Sequence, residues 1–252
     1  MSIHNNITDK STVRIALITG ANKGIGLETA RQLGRKDIRV ILGARNSARG
    51  AEAVRLLTAE GIDAHAITID VTSPESISAA VLDVEKRFGS LDILVNNAGI
   101  LDYSTDTNPT EVPMETWRRT FDTNFFGMIA VTQAFLPLLR KSPAGRIVNL
   151  SSILGSVSEH CDTNSPAFKY RLPAYSASKG AVNMFTAELA QELAGTPIKV
   201  NAAHPGIVKT DMGGADAPME IVDGAKTSVA LATLPQDGPS GGFFHMGVHM
   251  RW

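Results

Sequence analysis

The chain has 252 residues, of which 43% are hydrophobic and 19% charged, and a formal net charge of −1. That is the composition of a globular protein with a sizeable core, and so balanced a charge excludes a general attraction to nucleic acid or to an anionic membrane. A lone cysteine, Cys161, rules out an internal disulfide. No stretch reaches about 18 apolar residues and the polar N-terminus carries no signal-type run, so the expectation is a cytoplasmic protein in a reduced compartment.

Residues 1–12 have little to pack and are expected to form a flexible tail, leaving 13–252 as a single domain. An apolar run at 13–19 predicts a strand, and 24–33 a helix. A second strand at 38–43 leads to a helix over 47–60, stopped by Gly61. A third strand at 64–69 is followed by Ser73-Pro74, an N-cap with proline at the first helical position, opening a helix over 74–88 that Gly89 closes. Strand 91–95 precedes one long helix over 114–141, with Pro137 bending or ending its last turn. Strand 146–150, helix 174–194, strand 198–203, helix 218–234 and a short strand at 242–244 complete the chain. Nearly continuous apolar runs suit strands buried on both faces. Their alternation with helices predicts an α/β doubly wound (Rossmann) parallel sheet of about seven strands with helices on both faces.

The first strand runs into Thr19-Gly20-Ala21-Asn22-Lys23-Gly24-Ile25-Gly26 and then a helix. Glycines let the backbone approach a pyrophosphate, and a helix N-terminus offers free N–H groups. Spacing is Gly-x3-Gly-x-Gly rather than Gly-x-Gly-x-x-Gly. After the second strand the chain reads Leu42-Gly43-Ala44-Arg45 and lacks the acid that would accept a ribose 2′-hydroxyl. Arg45, with Lys23 as a second positive charge, suits the 2′-phosphate of NADP, so NADPH/NADP+ is the expected cofactor.

Tyr175 and Lys179 stand four residues apart, on one face of a predicted helix. A free tyrosine has a pKa of about 10, and a neighbouring cation is expected to lower it, giving a proton relay for a substrate oxygen. No metal site is expected. The six histidines (4, 65, 160, 204, 245 and 249) are scattered, and His245 and His249 lack a supporting pattern. A Ser-His-Asp hydrolase would want Gly-x-Ser-x-Gly, whereas the fifth strand ends Asn149-Leu150-Ser151-Ser152.

Thr19-Gly-x3-Gly-Ile-Gly26, Asp70-Val71, Asn96-Asn97-Ala98-Gly99, Asn149-x-Ser151-Ser152, Tyr175-x3-Lys179 and Pro205-Gly206 occur in that order, each group at or after a predicted strand or on the Tyr175 helix. With these motifs residues 12–252 resemble the short-chain dehydrogenase/reductase family. The loop Ala21-Asn22-Lys23-Gly24-Ile25-Gly26, the ending Gly238-Pro239-Ser240-Gly241-Gly242-Phe243-Phe244 and the terminal Trp252 resemble its NADPH-dependent carbonyl reductases. The resemblance implies hydride transfer between NADPH and a ketone or aldehyde, reversible as alcohol oxidation. It makes Tyr175 the proton donor, Lys179 the cation that lowers its pKa and binds the nicotinamide ribose, Ser152 a hydrogen-bond partner of the substrate oxygen, and Asn124 the holder of a water reaching Lys179. Cofactor contacts would come from Gly20, Asn22, Lys23, Gly24, Ile25, Gly26, Arg45, Asp70, Val71, Asn97, Ala98, Gly99, Pro205, Gly206, Val208 and Thr210, besides Tyr175 and Lys179. From the residues alone, Ser151 stands open as the active serine, Asn124 as a helix-backbone partner and Asp70 as a turn residue.

Residues 153–174 separate Ser152 from Tyr175, a longer connection than compact family members have. Ile153, Leu154, Phe168 and Tyr170 within it are candidates for an apolar substrate pocket, and its length leaves monomer, dimer or tetramer undecided. The expected partner is a small carbonyl or alcohol substrate, with neither nucleic acid nor membrane. The competing readings are a non-catalytic NADPH-binding sensor or scaffold, and an NAD-linked alcohol dehydrogenase acting on a steroid or sugar.

Overall fold

The computed structural model describes residues 13–252, so the tail expected over 1–12 lies outside the described residues. Eight strands form one sheet in the order β3-β2-β1-β4-β5-β6-β7-β8. They are β1 Ile15–Thr19, β2 Arg39–Ala44, β3 Ala64–Thr68, β4 Ile93–Asn96, β5 Arg146–Leu150, β6 Lys199–Ala203, β7 Phe243–His245 and β8 Val248–His249. The first seven run parallel, and β8 folds back antiparallel on β7. The expected count of about seven therefore becomes eight. A strand of two residues is too short to show a period.

Side chains alternate along each strand, so one run supplies two cores. Ile15, Leu17, Ile41, Leu94 and Ile147 join a cluster on one face of the sheet, while Ala16, Ile18, Val40, Leu42, Ile93, Val95 and Val148 join another on the opposite face. Both faces are covered by helices: α1 Gly24–Gly34, α2 Ser47–Ala59, α3 Pro74–Phe88, α4 Met114–Phe121, α5 Gly127–Leu139, α6 Val157–Cys161, α7 Pro173–Glu192, α8 Ile221–Gly224 and α9 Lys226–Ala232. α3 starts and stops as the sequence indicates: the Ser73 hydroxyl accepts the Ser76 N–H at 3.1 Å, and Gly89 closes it at φ 78°. No described helix is long and apolar enough to cross a membrane.

Two expected helices differ. The long helix over 114–141 is interrupted by a π-turn, Asp122–Phe126, between α4 and α5. The helix expected over 218–234 starts later, because Met219 forms a parallel bridge with Val208, and it is divided at Ala225 into α8 and α9. The Met219 N–H donates to the Ile207 carbonyl at 3.1 Å and the Met219 carbonyl accepts the Lys209 N–H at 2.9 Å, which takes residues 218–220 out of helical geometry.

Candidate active site

The carboxyl ends of β1, β2, β4, β5 and β6 open on one edge of the sheet, where ligands of doubly wound folds bind. The glycine-rich turn after β1 is fixed by β4. The Thr19 hydroxyl accepts the N–H groups of Asn97 (3.0 Å) and Ala98 (3.1 Å), and the Asn97 amide donates to the carbonyls of Thr19 (2.8 Å) and Gly20 (3.2 Å). Asn97 thus holds the turn itself. Gly20 adopts φ 64° and Gly24 φ 57°. A Cβ on Gly26 would stand 2.5 Å from the Asn97 amide nitrogen and 2.7 Å from the Gly20 carbonyl oxygen. Ile25 and Gly26 lie in the first turn of α1, whose N-terminal N–H groups face this cradle.

Arg45 is exposed just beyond β2 and lies within electrostatic reach of Asp70. The Asp70 carboxylate accepts the Thr72 hydroxyl (2.7 Å) and N–H (2.9 Å), and these bonds, helped by Arg45, hold its pKa below the usual range against partial burial. Val71 is buried beside α5: a Cβ on Gly127 would meet its carbonyl at 2.7 Å. Lys23 reaches across the cleft to pair with Asp211 rather than standing free beside Arg45. The segment after β6 lies over the same turn, since a Cβ on Gly24 would be 3.5 Å from the Thr210 methyl. Its course starts with Pro205 and Gly206 (φ 90°) and passes through the buried Val208. Asn22 and Lys23 also line a second cleft, shared with Arg49 and Glu52 of α2.

Tyr175 and Lys179 sit in the first two turns of α7, both buried, with the Lys179 ammonium 5.6 Å from the Tyr175 ring centroid. Lys179 donates to the Leu150 carbonyl at 2.7 Å. Asn124, in the π-turn, accepts the Ile100 N–H (2.8 Å) and donates to the Ile100 carbonyl (2.9 Å) and the Ser178 hydroxyl (3.1 Å). A Cβ on Gly99 would be 3.3 Å from the Asn124 side-chain oxygen and 3.7 Å from the Lys179 nitrogen, so these three residues meet.

The two serines after β5 have different surroundings. Ser151 donates to the Asn183 side chain (2.5 Å) and is buried under α7, whereas Ser152 caps a 3-10 turn, Ile153–Gly155, with its hydroxyl near enough to the Tyr175 phenol to lower its pKa. Gly155 lets this turn approach α7, where a Cβ would stand 2.6 Å from the Lys179 carbonyl carbon.

The electrostatics correct one expectation. Burial pushes the Tyr175 phenol up to about 12; the Ser152 hydroxyl opposes this and the nearby Tyr103 phenol adds to it. Burial brings the Lys179 ammonium down to about 8. Burial, rather than the neighbouring cation, therefore sets the direction of the shift, and the group is a neutral phenol near pH 7.

Leu154, Leu172 and Tyr175 form a small cluster with Ile153, Tyr170, Leu101 and Met212 packed against it. Phe168 is exposed beneath the Arg171 guanidinium and does not line the cavity that Tyr170 shares with Tyr103.

Two residues escaped the sequence reading. Asp106 is buried and accepts the N–H groups of Ala174 (3.0 Å) and Tyr175 (2.8 Å), closing the N-terminus of α7. The His204 imidazole accepts the N–H groups of Ile153 (3.2 Å) and Gly206 (3.3 Å), joining the turns after β5 and β6. Burial, with His245 adding to it, takes His204 down to about 3. Among the described residues no three His, Cys, Asp or Glu side chains are grouped to hold a metal ion.

Residues 14–220 match the family model described as short chain dehydrogenase. A short-chain dehydrogenase of Penicillium roqueforti, anuI, is 41% identical over 228 residues, covering 88% of this chain and 89% of that protein. Carbonyl reductase [NADPH] 1 of Bos taurus is 35% identical, over 94% of this chain and 98% of its own length. The crystal structure of NADPH-bound carbonyl reductase from chicken fatty liver superposes with a TM-score of 0.84 at 29% identity, covering 95% of this chain and 99% of that one. With the glycine cradle, Ser152, Tyr175 and Lys179 on one edge of the sheet, this chain belongs to the short-chain dehydrogenase family.

Proposed function

We propose that the protein is an NADPH-dependent carbonyl reductase, which reduces ketones or aldehydes and runs in reverse as an NADP+-linked alcohol dehydrogenase. The observation that carries this reading is the buried Tyr175 phenol, close to the Ser152 hydroxyl and the Lys179 ammonium and on the same edge of the sheet as the glycine cradle. NADPH supplies the hydride when bound. The chain's own groups do the rest. Tyr175, neutral near pH 7, gives its proton to the oxygen as negative charge develops there, and an alkoxide is basic enough to take it even from a phenol near 12. Ser152 hydrogen-bonds the same oxygen. Lys179, still mostly charged at pH 7, stabilises the phenolate left behind and meets the nicotinamide ribose. Asn124 ties the Ile100 backbone to α7 and so fixes Lys179.

The cradle suits a pyrophosphate because Gly20 and Gly24 hold positive φ angles and Gly26 has no room for a Cβ, which leaves the backbone bare. Arg45, with no acid at the end of β2, supports NADPH over NADH. A cytoplasmic location goes with the lone cysteine.

The test is NADPH oxidation against a panel of ketones and aldehydes. Tyr175→Phe is expected to lower kcat by roughly a hundredfold or more, with NADPH binding, followed by nicotinamide fluorescence, unchanged. A variant that retains most of its activity overturns the assignment. NADPH binding without turnover of any carbonyl would favour a sensor.

A further inference from the structure

Beside Tyr175 lies a cavity of about 350 Å³ whose wall includes Tyr103, Asp106, Asn108, Lys169, Tyr170 and Arg171. Its wall is tied to Tyr175: Asp106 accepts the Tyr175 backbone N–H, and Tyr170 packs on the cluster containing Tyr175. The Tyr103 phenol is near enough to raise the pKa of Tyr175 and to be raised by Tyr170 in turn.

The charges on this wall are unbalanced. Neither Lys169 nor Arg171 has an acidic partner among the described residues, whereas Lys23, Arg31, Arg39, Arg119, Lys141, Lys209 and Arg251 each have one. Asp106 is the one carboxylate on the wall, and both its oxygens accept backbone N–H groups at the positive end of α7. The cations are also held in place. Arg171 Nη1 donates to the carbonyls of Phe168 (2.7 Å) and Tyr170 (3.2 Å), leaving Nη2 and Nε available. The Lys169 ammonium lies 5.8 Å from the Tyr170 ring centroid. Tyr103, 57% exposed, offers a further aromatic face.

We propose that this cavity takes the acidic end of the substrate: the preferred carbonyl compound bears a carboxylate, gripped by Lys169 and Arg171, with the stretch between the two groups flanked by Tyr103 and Tyr170. This rests on the reductase reading. The redox balance is that of simple carbonyl reduction. Hydride adds to the carbonyl carbon, its oxygen takes the Tyr175 proton, and the carboxylate remains ionised throughout. A guanidinium and an ammonium give charge-assisted hydrogen bonds that an ester cannot match.

The experiment compares aryl oxo acids of increasing chain length with their methyl esters in the NADPH oxidation assay. For at least one length, kcat/KM for the acid should exceed that for the ester by roughly ten- to a hundredfold. The double substitution Lys169→Met, Arg171→Met should remove this gap by raising KM for the acid. Turnover of the ester should be unchanged, which also reports that the variant is folded. Esters reduced as well as acids at every length, or an acid preference surviving the double substitution, would overturn the proposal and leave the reductase reading intact. No turnover of acids, esters or simple ketones would remove both.

Discussion

Asp106 and Tyr175 are 69 positions apart in sequence, yet the Asp106 carboxylate accepts the Tyr175 backbone N–H at 2.8 Å. Its other oxygen takes the Ala174 N–H at 3.0 Å, so a side chain from the loop before α4 does the work of a local N-cap. Leu172, the residue preceding α7, has no side-chain oxygen to offer for this purpose. Removing the acceptor strands two buried donors at the start of the helix that carries Tyr175, the proposed proton donor. Asp106→Ala is expected to lower unfolding free energy by about 2 kcal/mol. It should also lower kcat, while NADPH affinity changes little. Asp106→Asn, with one acceptor oxygen, should fall between. Urea denaturation and steady-state kinetics of the two variants check this.

His204 yields a prediction about acid. An unfolded histidine titrates near its ordinary value of 6.5, whereas the folded protein resists protonating this one until about pH 3. The folded pKa is depressed, so the stability contribution is complete above 6.5 and disappears as the pH falls towards 3. Wild type should lose about 1.4 kcal/mol per pH unit in that window relative to His204→Asn. Parallel stability curves for the two proteins from pH 7 to pH 4 would show that the imidazole is not held neutral by the fold.

The ion pair between Lys23 and Asp211 joins the glycine-rich turn to the segment after β6, with both side chains largely exposed. Such a pair adds at most about 1 kcal/mol to stability. It does hold Lys23 away from an entering phosphate. Asp211→Asn should leave the melting temperature nearly unchanged and tighten NADPH binding severalfold at low ionic strength, with the gain fading as salt screens Lys23. Titration calorimetry at two salt concentrations reads both effects.

Arg45 stands exposed where an acid would select NADH. Arg45→Asp should raise KM for NADPH roughly ten- to a hundredfold, with NADH unharmed or improved. An unchanged NADPH/NADH ratio would take Arg45 out of the phosphate site.

Much of this architecture can be read from the chain because its determinants are local. The runs over β1, β2 and β5 are apolar enough to be buried on both faces, and Ser73-Pro74 and Gly89 bracket α3 with side chains that act within a few residues. What escapes the sequence depends on distant partners. Residues 218–220 leave the helical pattern because Val208 pairs with Met219, and Asp106 has no sequence relation to α7. The ionisation of Tyr175 is of the same kind. Its spacing from Lys179 suggests a lowered pKa, but the burial that raises it comes from Leu154 and Leu172, which fold over it. Ser151 and Ser152 are adjacent and chemically identical in the sequence, and only the course of the backbone beneath α7 gives them different neighbours.

The π-turn at Asp122–Phe126 makes the site sensitive to chain length as well as to residue identity. Buried Thr116, Thr120, Asn124 and Met128 recur every fourth position. An unbroken α-helix would rotate such a series by about 40° per step, and the wide turn absorbs part of that drift. Rewinding the turn as ordinary α-helix with all five residues kept would swing everything on one side by up to about 100°. Either Asn124 would leave Ile100 and Ser178, or the apolar stripe Val131, Phe135 and Leu138 would turn away from the sheet. A one-residue deletion within the turn, which removes its extra residue, should therefore keep both faces in register, whereas a one-residue deletion within α4 or α5 should not.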